Sequence, residues 1–321
     1  MRQKILITGG SGFIGTNTVA YLVEKGYDVL NLDICAPVQA DQLQFFKLLD
    51  IMNISALEEC VRQYKPDYII HMAAKTDLTG RSIRDYEVNI KGTENIIEAS
   101  KNIQTIKKIV FTSSMLVCKT AYYPSHAEDF NPSTTYGQSK VDMEKLIRRS
   151  NILCDWVILR PTSIWGPWFK TPYRDFFDTV SKNKFIDIGS KYGTKTYGYI
   201  GNTVYQIHQL LLHPSTHSNV YYLGDEPPVF ISEWARQISE EMGTRYPKKV
   251  SFSVLKITAR IGDVLKIFGI RFPMTSFRLQ NMTTNNIIDL SATYSVASHP
   301  PYTRTQGIKK TVAWLRDNKN R

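Results

Sequence analysis

Apolar and polar positions alternate in blocks over the first half of the chain. Short apolar runs predict five strands, over residues 4–8, 29–32, 68–71, 109–112 and 156–159. Between these runs, apolar residues recur every three or four positions and predict helices over residues 16–25, 55–64, 89–100 and 136–149. Strands that alternate with helices are typical of a parallel sheet covered on both faces. The pattern therefore predicts an α/β fold with a doubly wound parallel sheet.

The regular alternation ends after Gly166 and Pro167. Beyond them, aromatic and polar loops surround predicted helices over residues 202–212 and 232–242 and a predicted strand over residues 220–223. We therefore expect a main domain over residues 1–166 and a smaller region over residues 167–321. This boundary is soft, because later strands can return to the main sheet.

A glycine-rich loop directly follows the first predicted strand. Gly9, Gly12 and Gly15 give the spacing G-x-x-G-x-x-G, and a helix opens behind them. A side chain at these positions would block the approach of a pyrophosphate to the backbone, and a helix N-terminus favours an anion. A tight strand-to-helix turn could use the same glycines, but the order of strand, loop and helix favours a dinucleotide site.

Asp33 ends the second predicted strand, 18 residues after Gly15. An acidic residue there accepts hydrogen bonds from both ribose hydroxyls of a dinucleotide and repels a 2′-phosphate. No Arg follows it closely, so the sequence favours NAD over NADP. The alternative role for Asp33 is to cap a local turn.

Tyr136 and Lys140 form the sequence Y-x-x-x-K in the fourth predicted helix. Residues four apart lie on one helix face, one turn apart, and an ammonium at that distance favours the phenolate. The tyrosine then becomes a usable acid/base near neutral pH. Taken by itself, a Tyr and a Lys at this spacing would be explained by an ordinary amphipathic helix. The hydroxyl residues Thr112 to Ser114, which end the preceding strand at the sheet edge where ligands bind, favour catalysis instead.

The charge of the chain limits its partners. The net charge of +11 suits an anionic partner, but the basic residues are dispersed and form no nucleic-acid motif. A phosphorylated small molecule is therefore expected, and no nucleic acid. The four cysteines have neither disulfide-framework nor zinc spacing, so we expect reduced thiols and no metal. No apolar run reaches the roughly 18 residues of a membrane span, and Met1 leads straight into a strand, so a cytoplasmic location is expected.

Several motifs stand in an order that resembles one known family. They are T-G-G-x-G-F-I-G at Thr8–Gly15, H-x-A-A at His71–Ala74, N-x-x-G-T at Asn89–Thr93, the Ser113-Ser114 pair, Y-x-x-x-K, and L-R-P-T at Leu159–Thr162. Over residues 4–167 the chain resembles the extended short-chain dehydrogenases, and within them the nucleotide-sugar epimerase/dehydratase branch. The second half is only loosely similar.

The resemblance implies a Rossmann-type fold, NAD as cofactor, a nucleotide-diphosphate sugar as substrate, and a homodimer formed through the helices that bear Asn89 and Tyr136. It implies catalytic roles for Ser114, Tyr136 and Lys140. It implies cofactor contacts for Gly9, Gly12, Phe13, Ile14, Gly15, Asp33, Asp50, Ile51, Ala73, Asn89, Lys140 and Pro161. It implies substrate contacts for Thr76, Ser114, Ser163, Tyr199 and Asn202. Asp50 and Ile51 would bind the adenine, and Asn89 would steady the backbone near the active site.

Departures from the family pattern reduce the number of reactions that the chain is expected to catalyse. Met115 and Leu116 stand where the dehydratases of this branch carry Asp and Glu, and neither side chain transfers a proton. Decarboxylating relatives also need a Glu here, and the epimerase-reductases place a Cys where Met115 stands. Epimerisation at C4 and reduction of a 4-keto sugar remain as candidate reactions. Asp33 slightly favours an epimerase, because a cofactor that is recycled within the reaction is usually NAD. The substrate segment normally begins R-D-F-x-Y-V-x-D, but here it reads Lys195–Asn202 and lacks the Arg and both acids.

A basic amphipathic segment over residues 250–268 leaves further interpretations open. It is expected to pack on the smaller region with its lysines in solvent, but it could also rest on a membrane surface or cap a lipid-binding cleft. Such a segment supports a hydroxysteroid- or lipid-type dehydrogenase of the same superfamily as the main alternative. A non-catalytic dinucleotide sensor is less favoured, because such proteins often lose Tyr or Lys and this chain keeps both.

Overall fold

The strands and helices follow the predicted alternation closely. The computed structural model describes residues 2–171, 173–189, 193–214, 219–270, 272 and 274–318. The strands are β1 (Lys4–Thr8), β2 (Asp28–Asp33), β3 (Phe46–Leu48), β4 (Tyr68–His71), β5 (Lys108–Thr112), β6 (Asp155–Pro161), β7 (Ser163–Trp165), β8 (Ile186–Asp187), β9 (Thr194–Lys195), β10 (Tyr197–Tyr199), β11 (Asn219–Leu223), β12 (Val229–Phe230) and β13 (Lys248–Lys249). The α-helices are α1 (Phe13–Glu24), α2 (Ile54–Tyr64), α3 (Glu87–Ser100), α4 (Thr135–Arg149), α5 (Tyr173–Ser181), α6 (Ile200–Leu212), α7 (Ile231–Met242), α8 (Phe252–Ile267), α9 (Ser276–Thr283), α10 (Ser291–Val296) and α11 (Arg304–Asp317).

The main sheet has seven parallel strands in the order β3-β2-β1-β4-β5-β6-β11. The chain moves outward from β1 to β3, returns to β4 beside β1, and then continues to β11. The strand order therefore reverses between β1 and β4, which is the switch point where doubly wound sheets bind ligands. This topology confirms the predicted Rossmann-type fold. The predicted strand over residues 220–223 joins this sheet as β11, where Leu223 lies opposite Pro161 of β6.

Side chains on both faces of the sheet are buried, which explains why its central strands are continuously apolar. Leu6 and Ile69 face a core that includes residues of α2, α3 and α4. Ile7 and Ile70 face the opposite core, which includes residues of α1 and α6. The helices therefore cover both faces, and the carboxyl ends of the strands meet along one edge.

The chain divides into two compact units that are interleaved along the sequence. Unit 1 comprises residues 1–162, 200–224 and 289–301, and it contains the main sheet. Unit 2 comprises residues 163–199, 225–288 and 302–321. Two later segments therefore return to the unit that the first half begins. The assignment of cofactor binding to residues 1–166 and of substrate binding to residues 167–321 stays a prediction.

Aromatic side chains form much of the interior of unit 2. Trp234 of α7 stacks on Phe176 of α5 with ring centroids 4.6 Å apart, and it also packs against Trp165 of β7. Tyr199 at the end of β10 packs against Trp165 with ring centroids 5.1 Å apart. This interior explains the aromatic composition that the sequence shows after residue 166.

Helix α8 lies in unit 2 and buries only one of its faces. Leu255 and Ala259 pack in a small cluster with Met274 and Leu279. A Cβ on Gly262 would lie 1.9 Å from the Met274 carbonyl oxygen, so α8 approaches that backbone closely. The expected packing of this segment therefore holds for its inner face. Six further apolar residues are exposed, namely Val254, Ile257, Ile261, Val264, Ile267 and, just beyond the helix, Phe268. Among the helices of the described residues, none combines the length and apolarity needed to cross a membrane.

Candidate active site

The glycine loop lies at the switch point, between the ends of β1 and β4. Gly9 has a φ of +75°, and a Cβ there would lie 2.5 Å from the backbone nitrogen of Ala73. A Cβ on Gly15 would lie 2.2 Å from the Gly9 carbonyl oxygen. Two of the three predicted glycines are therefore required by close backbone approach, Gly9 to the segment after β4 and Gly15 to the loop itself. Gly10 is also tightly packed, but against a side chain, because its Cβ would lie 2.3 Å from the Asn31 amide oxygen.

Packing within the protein does not explain why position 12 is a glycine. A Cβ on it would meet only the Gly9 carbonyl oxygen, at 3.2 Å. Gly12 is also the N-cap of α1, which begins at Phe13 with no side-chain cap and no acid in its first turn. The absence of a side chain leaves the loop surface open at the positive end of a helix, which is the arrangement that accepts a phosphate. The loop therefore fits the pyrophosphate of a dinucleotide.

We expect Gly9→Ala to weaken NAD binding about tenfold or more and to lower the free energy of unfolding by about 1–3 kcal/mol. The new Cβ combines a left-handed φ with contact against Ala73, so the loop has to move. Gly26→Ala is the matched control, because Gly26 has a φ of +85° but nothing within 4 Å of the Cβ position. Isothermal titration with NAD and urea unfolding measure both effects. Equal NAD affinities of the two variants would contradict the role of the loop.

Asp33 contacts the glycine loop from the end of β2. One carboxylate oxygen accepts a hydrogen bond from the Ser11 N–H at 3.0 Å, and the other accepts one from the Cys35 N–H at 3.1 Å. Asp33 therefore caps its own turn and orders the loop, while its contact with a ribose stays a prediction. Asp50 accepts a hydrogen bond from the Met52 N–H, whereas the Ile51 side chain is buried in the core. An adenine contact from Ile51 would therefore have to involve its backbone.

His71 ends β4 and ties β1, β4 and α3 together. Its Nε2 lies 3.0 Å from the Thr93 hydroxyl, which donates its own hydrogen to the Asn89 carbonyl oxygen. Nε2 must therefore carry the proton, and Nδ1 accepts from the Thr8 hydroxyl at 2.7 Å. Burial, together with the charge of Lys140, lowers the pKa of His71 to about 3. The Thr8 oxygen also accepts from the Ala73 N–H, so this neutral histidine fixes the edge of the cofactor crevice.

Lys140 is buried at the carboxyl end of β5. Its Nζ donates to the Thr112 carbonyl oxygen at 2.9 Å, and its exposed fraction is 2 %. Burial lowers the pKa of Lys140 to about 8, and the nearby Glu144 carboxylate opposes that shift. An ammonium with this pKa is charged at neutral pH, and it lies in an environment of low polarity where its field is strong. It can therefore stabilise an anion close to it.

Tyr136 occupies the first turn of α4 and is fixed by its neighbours. Thr134 caps the helix by accepting a hydrogen bond from the Gly137 N–H at 3.0 Å. A Cβ on Gly137 would lie 2.2 Å from the Leu116 carbonyl oxygen, so α4 contacts the segment that follows Ser114. The ring of Tyr136 packs against that of Tyr86 with centroids 5.9 Å apart. The structure thus brings the predicted tyrosine to the carboxyl ends of β4 and β5, where Lys140 lies.

The two adjacent serines after β5 have different environments. Ser113 donates a hydrogen bond to Glu144 at 2.6 Å in the interior. Ser114 accepts one from the Leu116 N–H at 3.1 Å and caps the 3₁₀ turn Met115–Val117. The hydroxyl hydrogen of Ser114 is not used in that bond, so it can be donated to a substrate oxygen. The catalytic role of Ser114 stays a prediction.

Asn89 connects the loop after β4 with α4. Its amide accepts from the Lys75 N–H at 2.8 Å and donates to the Lys75 carbonyl oxygen at 3.0 Å. It also donates to the Ser139 hydroxyl at 2.9 Å, and Ser139 donates to the Tyr136 carbonyl oxygen at 2.7 Å. This chain of bonds fixes the backbone of Tyr136 relative to the loop that carries Thr76.

A buried ion pair lies one helical turn after Lys140 on α4. Arg160 of β6 donates two hydrogen bonds to Glu144 of α4, from Nε at 2.9 Å and from Nη2 at 2.7 Å. Its remaining donors reach the Tyr222 hydroxyl at 2.9 Å and the Ala127 carbonyl oxygen at 2.6 Å. Burial alone would lower the pKa of Arg160, but its bonds to Glu144 raise it above the ordinary value. The pair joins α4, β6, β11 and the loop before α4.

The other predicted residues are divided between the two units. Pro161, at the end of β6, and Asn202, on α6, are buried in unit 1. Ser163 and Tyr199 belong to unit 2, where Ser163 accepts a hydrogen bond from Tyr173 at 3.2 Å. The Tyr199 N–H donates to Asp225 at 2.7 Å. Their contact with a substrate stays a prediction.

Tyr86 and Glu144 are site residues that the sequence did not predict. Tyr86 donates to the Asp77 carbonyl oxygen at 2.7 Å and accepts from the Gly80 N–H at 3.1 Å, so it shapes the loop beside Tyr136. Glu144 lies four residues after Lys140, and this spacing is a signal that the two residues share a face of α4. No local signal points to its partner Arg160.

Comparisons with known proteins identify a family and several similar proteins. The model of the NAD dependent epimerase/dehydratase family matches residues 5–224. An N-acetyl-alpha-D-glucosaminyl-diphospho-ditrans,octacis-undecaprenol 4-epimerase of Escherichia coli O157:H7 is 23% identical, over 98% of this chain and 96% of that protein. A 3-beta-hydroxysteroid dehydrogenase of Mycolicibacterium neoaurum is 26% identical, over 98% of this chain and 92% of that protein. The crystal structure of UDP-glucose 4-epimerase from Thermotoga maritima, solved with UDP-glucose, has a TM-score of 0.76 at 19% identity and covers 99% of this chain and 100% of its own.

Proposed function

Because the chain belongs to the NAD-dependent epimerase/dehydratase family, we propose that it acts at C4 of a nucleotide-diphosphate sugar, as a 4-epimerase or a 4-keto reductase, with Tyr136 as acid/base. The observation that carries the proposal is the buried ammonium of Lys140, one helical turn from Tyr136 at the carboxyl end of β5. The flanking positions 115 and 116 hold Met and Leu, so this part of the site offers no second acid for elimination.

The residues of unit 1 supply what this chemistry needs. Bound NAD provides the acceptor and donor of the C4 hydride. Gly9, Gly12 and Gly15 would hold its pyrophosphate, and Asp33 its adenosine ribose. Lys140 stabilises the phenolate form of Tyr136, which accepts the proton of the sugar 4-hydroxyl and becomes the neutral phenol. Ser114 donates a hydrogen bond to the same sugar oxygen.

Epimerisation and reduction share this arrangement and differ in the source and fate of the 4-keto sugar. In epimerisation, the 4-keto sugar turns over, the hydride returns to its other face, and Tyr136 returns the proton, so no net redox change occurs. In reduction, hydride and proton are delivered to a 4-keto sugar that arrives from another enzyme. The Asp33 carboxylate favours NAD, a cofactor that an epimerase regenerates within each cycle.

Asp33→Ser tests the cofactor assignment. We expect the NADP-to-NAD affinity ratio to rise about tenfold or more, because the carboxylate no longer repels a 2′-phosphate. The NAD affinity itself should fall, since the hydrogen bond to the Ser11 N–H is lost. Asp28→Ser removes the same charge from the other end of β2 and serves as the control. Titration of both dinucleotides against both variants measures the ratio, and an unchanged ratio in Asp33→Ser would contradict the assignment.

A substrate panel tests the reaction itself. The purified protein is incubated with UDP-, GDP- and dTDP-sugars, their 4-keto forms and a polyprenyl-diphosphate sugar, while NADH absorbance and product NMR are followed. A 4-epimer formed without accumulating NADH identifies an epimerase, and stoichiometric NADH consumption identifies a reductase. The polyprenyl carrier is included because the Escherichia coli relative is named for such a substrate.

A hydroxysteroid- or lipid-type dehydrogenase is the second candidate. It is favoured by the steroid dehydrogenase relative and by segment 195–202, which lacks the Arg and acids of the sugar-binding pattern. This candidate uses the same Ser114, Tyr136 and Lys140. Net NADH formation with a 3-hydroxysteroid, and no turnover of any diphosphate sugar, would establish it and overturn the sugar proposal.

A further inference from the structure

The outer face of α8 carries an apolar stripe that unit 2 does not cover. Val254, Ile257, Ile261 and Val264 recur at intervals of three and four, so they lie along one side of the helix, and Phe268 follows directly after its end. Their side chains are exposed, with fractions of 61 % at Ile257 and 75 % at Phe268. The helix has 16 residues and is therefore about 24 Å long. The stripe is continuous over that length rather than a scatter of single residues.

Positive charge is concentrated in the same part of the chain. Residues 243–288 contain eight Lys and Arg and one acidic residue, Asp263. This acid accepts a hydrogen bond from the Ser276 N–H at 3.0 Å and so helps to hold the start of α9. Lys256 and Arg260 are exposed on α8, and Lys248 and Lys249 are exposed just before it. Much of the chain's net charge of +11 therefore lies in the segment of sequence that contains the stripe.

The exposed apolar stripe and the basic residues beside it together indicate what kind of surface α8 would bind. An exposed apolar stripe flanked by Lys and Arg is the pattern of a helix that lies in the interface of an anionic bilayer. Its apolar side chains enter the headgroup region, while the basic side chains remain beside lipid phosphates. Two copies of the chain that met through this face would each contribute the positive charge of residues 243–288, which opposes self-association.

We propose that the outer face of α8 docks the protein on the surface of an anionic lipid bilayer. The contact is peripheral: the helix lies parallel to the membrane, with Ile257, Ile261 and Phe268 inserted among the headgroups. The proposal concerns the surface of unit 2 and does not rest on the proposed reaction.

Vesicle sedimentation tests the proposal directly. The full-length protein is mixed with vesicles of phosphatidylcholine alone or with about one third phosphatidylglycerol, at low salt and in 0.5 M NaCl. We expect binding to the anionic vesicles that is at least about tenfold tighter than to the neutral ones and that weakens in high salt. Failure of the wild type to bind anionic vesicles at low salt would overturn the proposal.

Two variants probe the helix face itself. The double variant Ile257→Glu/Ile261→Glu should reduce binding to anionic vesicles at least about tenfold, since it places charge at the centre of the stripe. Lys256→Gln/Arg260→Gln should reduce the preference for anionic lipid. Leu153→Glu/Leu212→Glu introduces the same change at exposed apolar residues of unit 1 and should bind like the wild type. Wild-type binding by Ile257→Glu/Ile261→Glu, or equal loss in the unit 1 control, would contradict the assignment.

Two further measurements distinguish lipid docking from misfolding and from self-association. Because the substituted residues are exposed, thermal unfolding and NAD binding of Ile257→Glu/Ile261→Glu should match the wild type. Sedimentation velocity without lipid reports self-association. If the variant converted a wild-type oligomer to a monomer and neither form bound vesicles, the face would be an interface between copies and the proposal would be wrong.

Discussion

Tyr136→Phe should lower kcat/KM by about two to four orders of magnitude, which is the usual contribution of a general acid/base. The substitution removes a single oxygen atom. The ring, which is 7 % exposed and packs against Tyr86, keeps its shape and its contacts. NAD affinity and thermal stability should therefore stay close to those of the wild type, while the chemical step is lost. Steady-state kinetics on the substrate found in the panel, with NAD titration beside it, measures the difference.

A second tyrosine provides the control for this experiment. Tyr64→Phe deletes a hydroxyl that donates to the Asp28 carbonyl oxygen at the amino end of β2, far along the sheet from the switch point. It should leave kcat/KM within about twofold of the wild type. If Tyr136→Phe kept a tenth or more of the activity, Tyr136 would not be the acid/base. If the protein performed its cellular role unchanged with this substitution, a non-catalytic sensor would fit the chain better than an enzyme.

Glu144→Leu should lower the free energy of unfolding by about 3–5 kcal/mol. The substitution leaves the Arg160 guanidinium buried without its carboxylate, and it removes the acceptor of the Ser113 hydroxyl. An unpaired buried charge is far more costly than the pair is stabilising, because desolvation is no longer offset. Urea unfolding monitored by circular dichroism measures this loss.

Two further variants distinguish an unpaired charge from lost packing. Glu144→Leu/Arg160→Met replaces the pair with apolar groups, so it should recover a large part of the stability that the single variant loses. Glu233→Gln breaks an exposed pair with Arg236 on α7 and should cost less than about 1 kcal/mol. A double variant whose loss equalled the sum of both single losses would contradict the charge argument.

The fold could be predicted from the sequence because its strands carry a local pattern. Residues 4–8 and 68–71 are apolar and short, since both faces of β1 and β4 are covered, and their predicted bounds match the structure to the residue. The glycine loop could also be predicted from the sequence, because Gly9 is required by a left-handed φ and by close approach to Ala73. Such features are fixed within a few residues of chain. They are therefore visible without the structure.

The features that the sequence does not reveal depend on distant partners. Arg160 and Glu144 belong to different elements, and only the packing of α4 over the ends of β5 and β6 brings them together. The sequence also does not show that the α8 stripe is exposed. Periodicity shows that a helix has an apolar side, but not which of its sides are covered by neighbouring elements. For α8 the inner side is formed by Leu255, Ala259 and Gly262, with Phe252 packed beside them. The apolar residues left over become visible only when the neighbours of the helix are known.

The position of β11 has a consequence for how the protein is synthesised. Strand β6 ends at Pro161, but the strand that covers its outer edge begins only at Asn219. At about 5–20 residues per second, a ribosome needs roughly 3–12 seconds to bring Leu223 out after Pro161. During that interval the nascent chain holds an unpaired strand edge of the kind that recruits other chains. Chaperones that bind extended segments would therefore find their target in β6, and release would coincide with the arrival of β11.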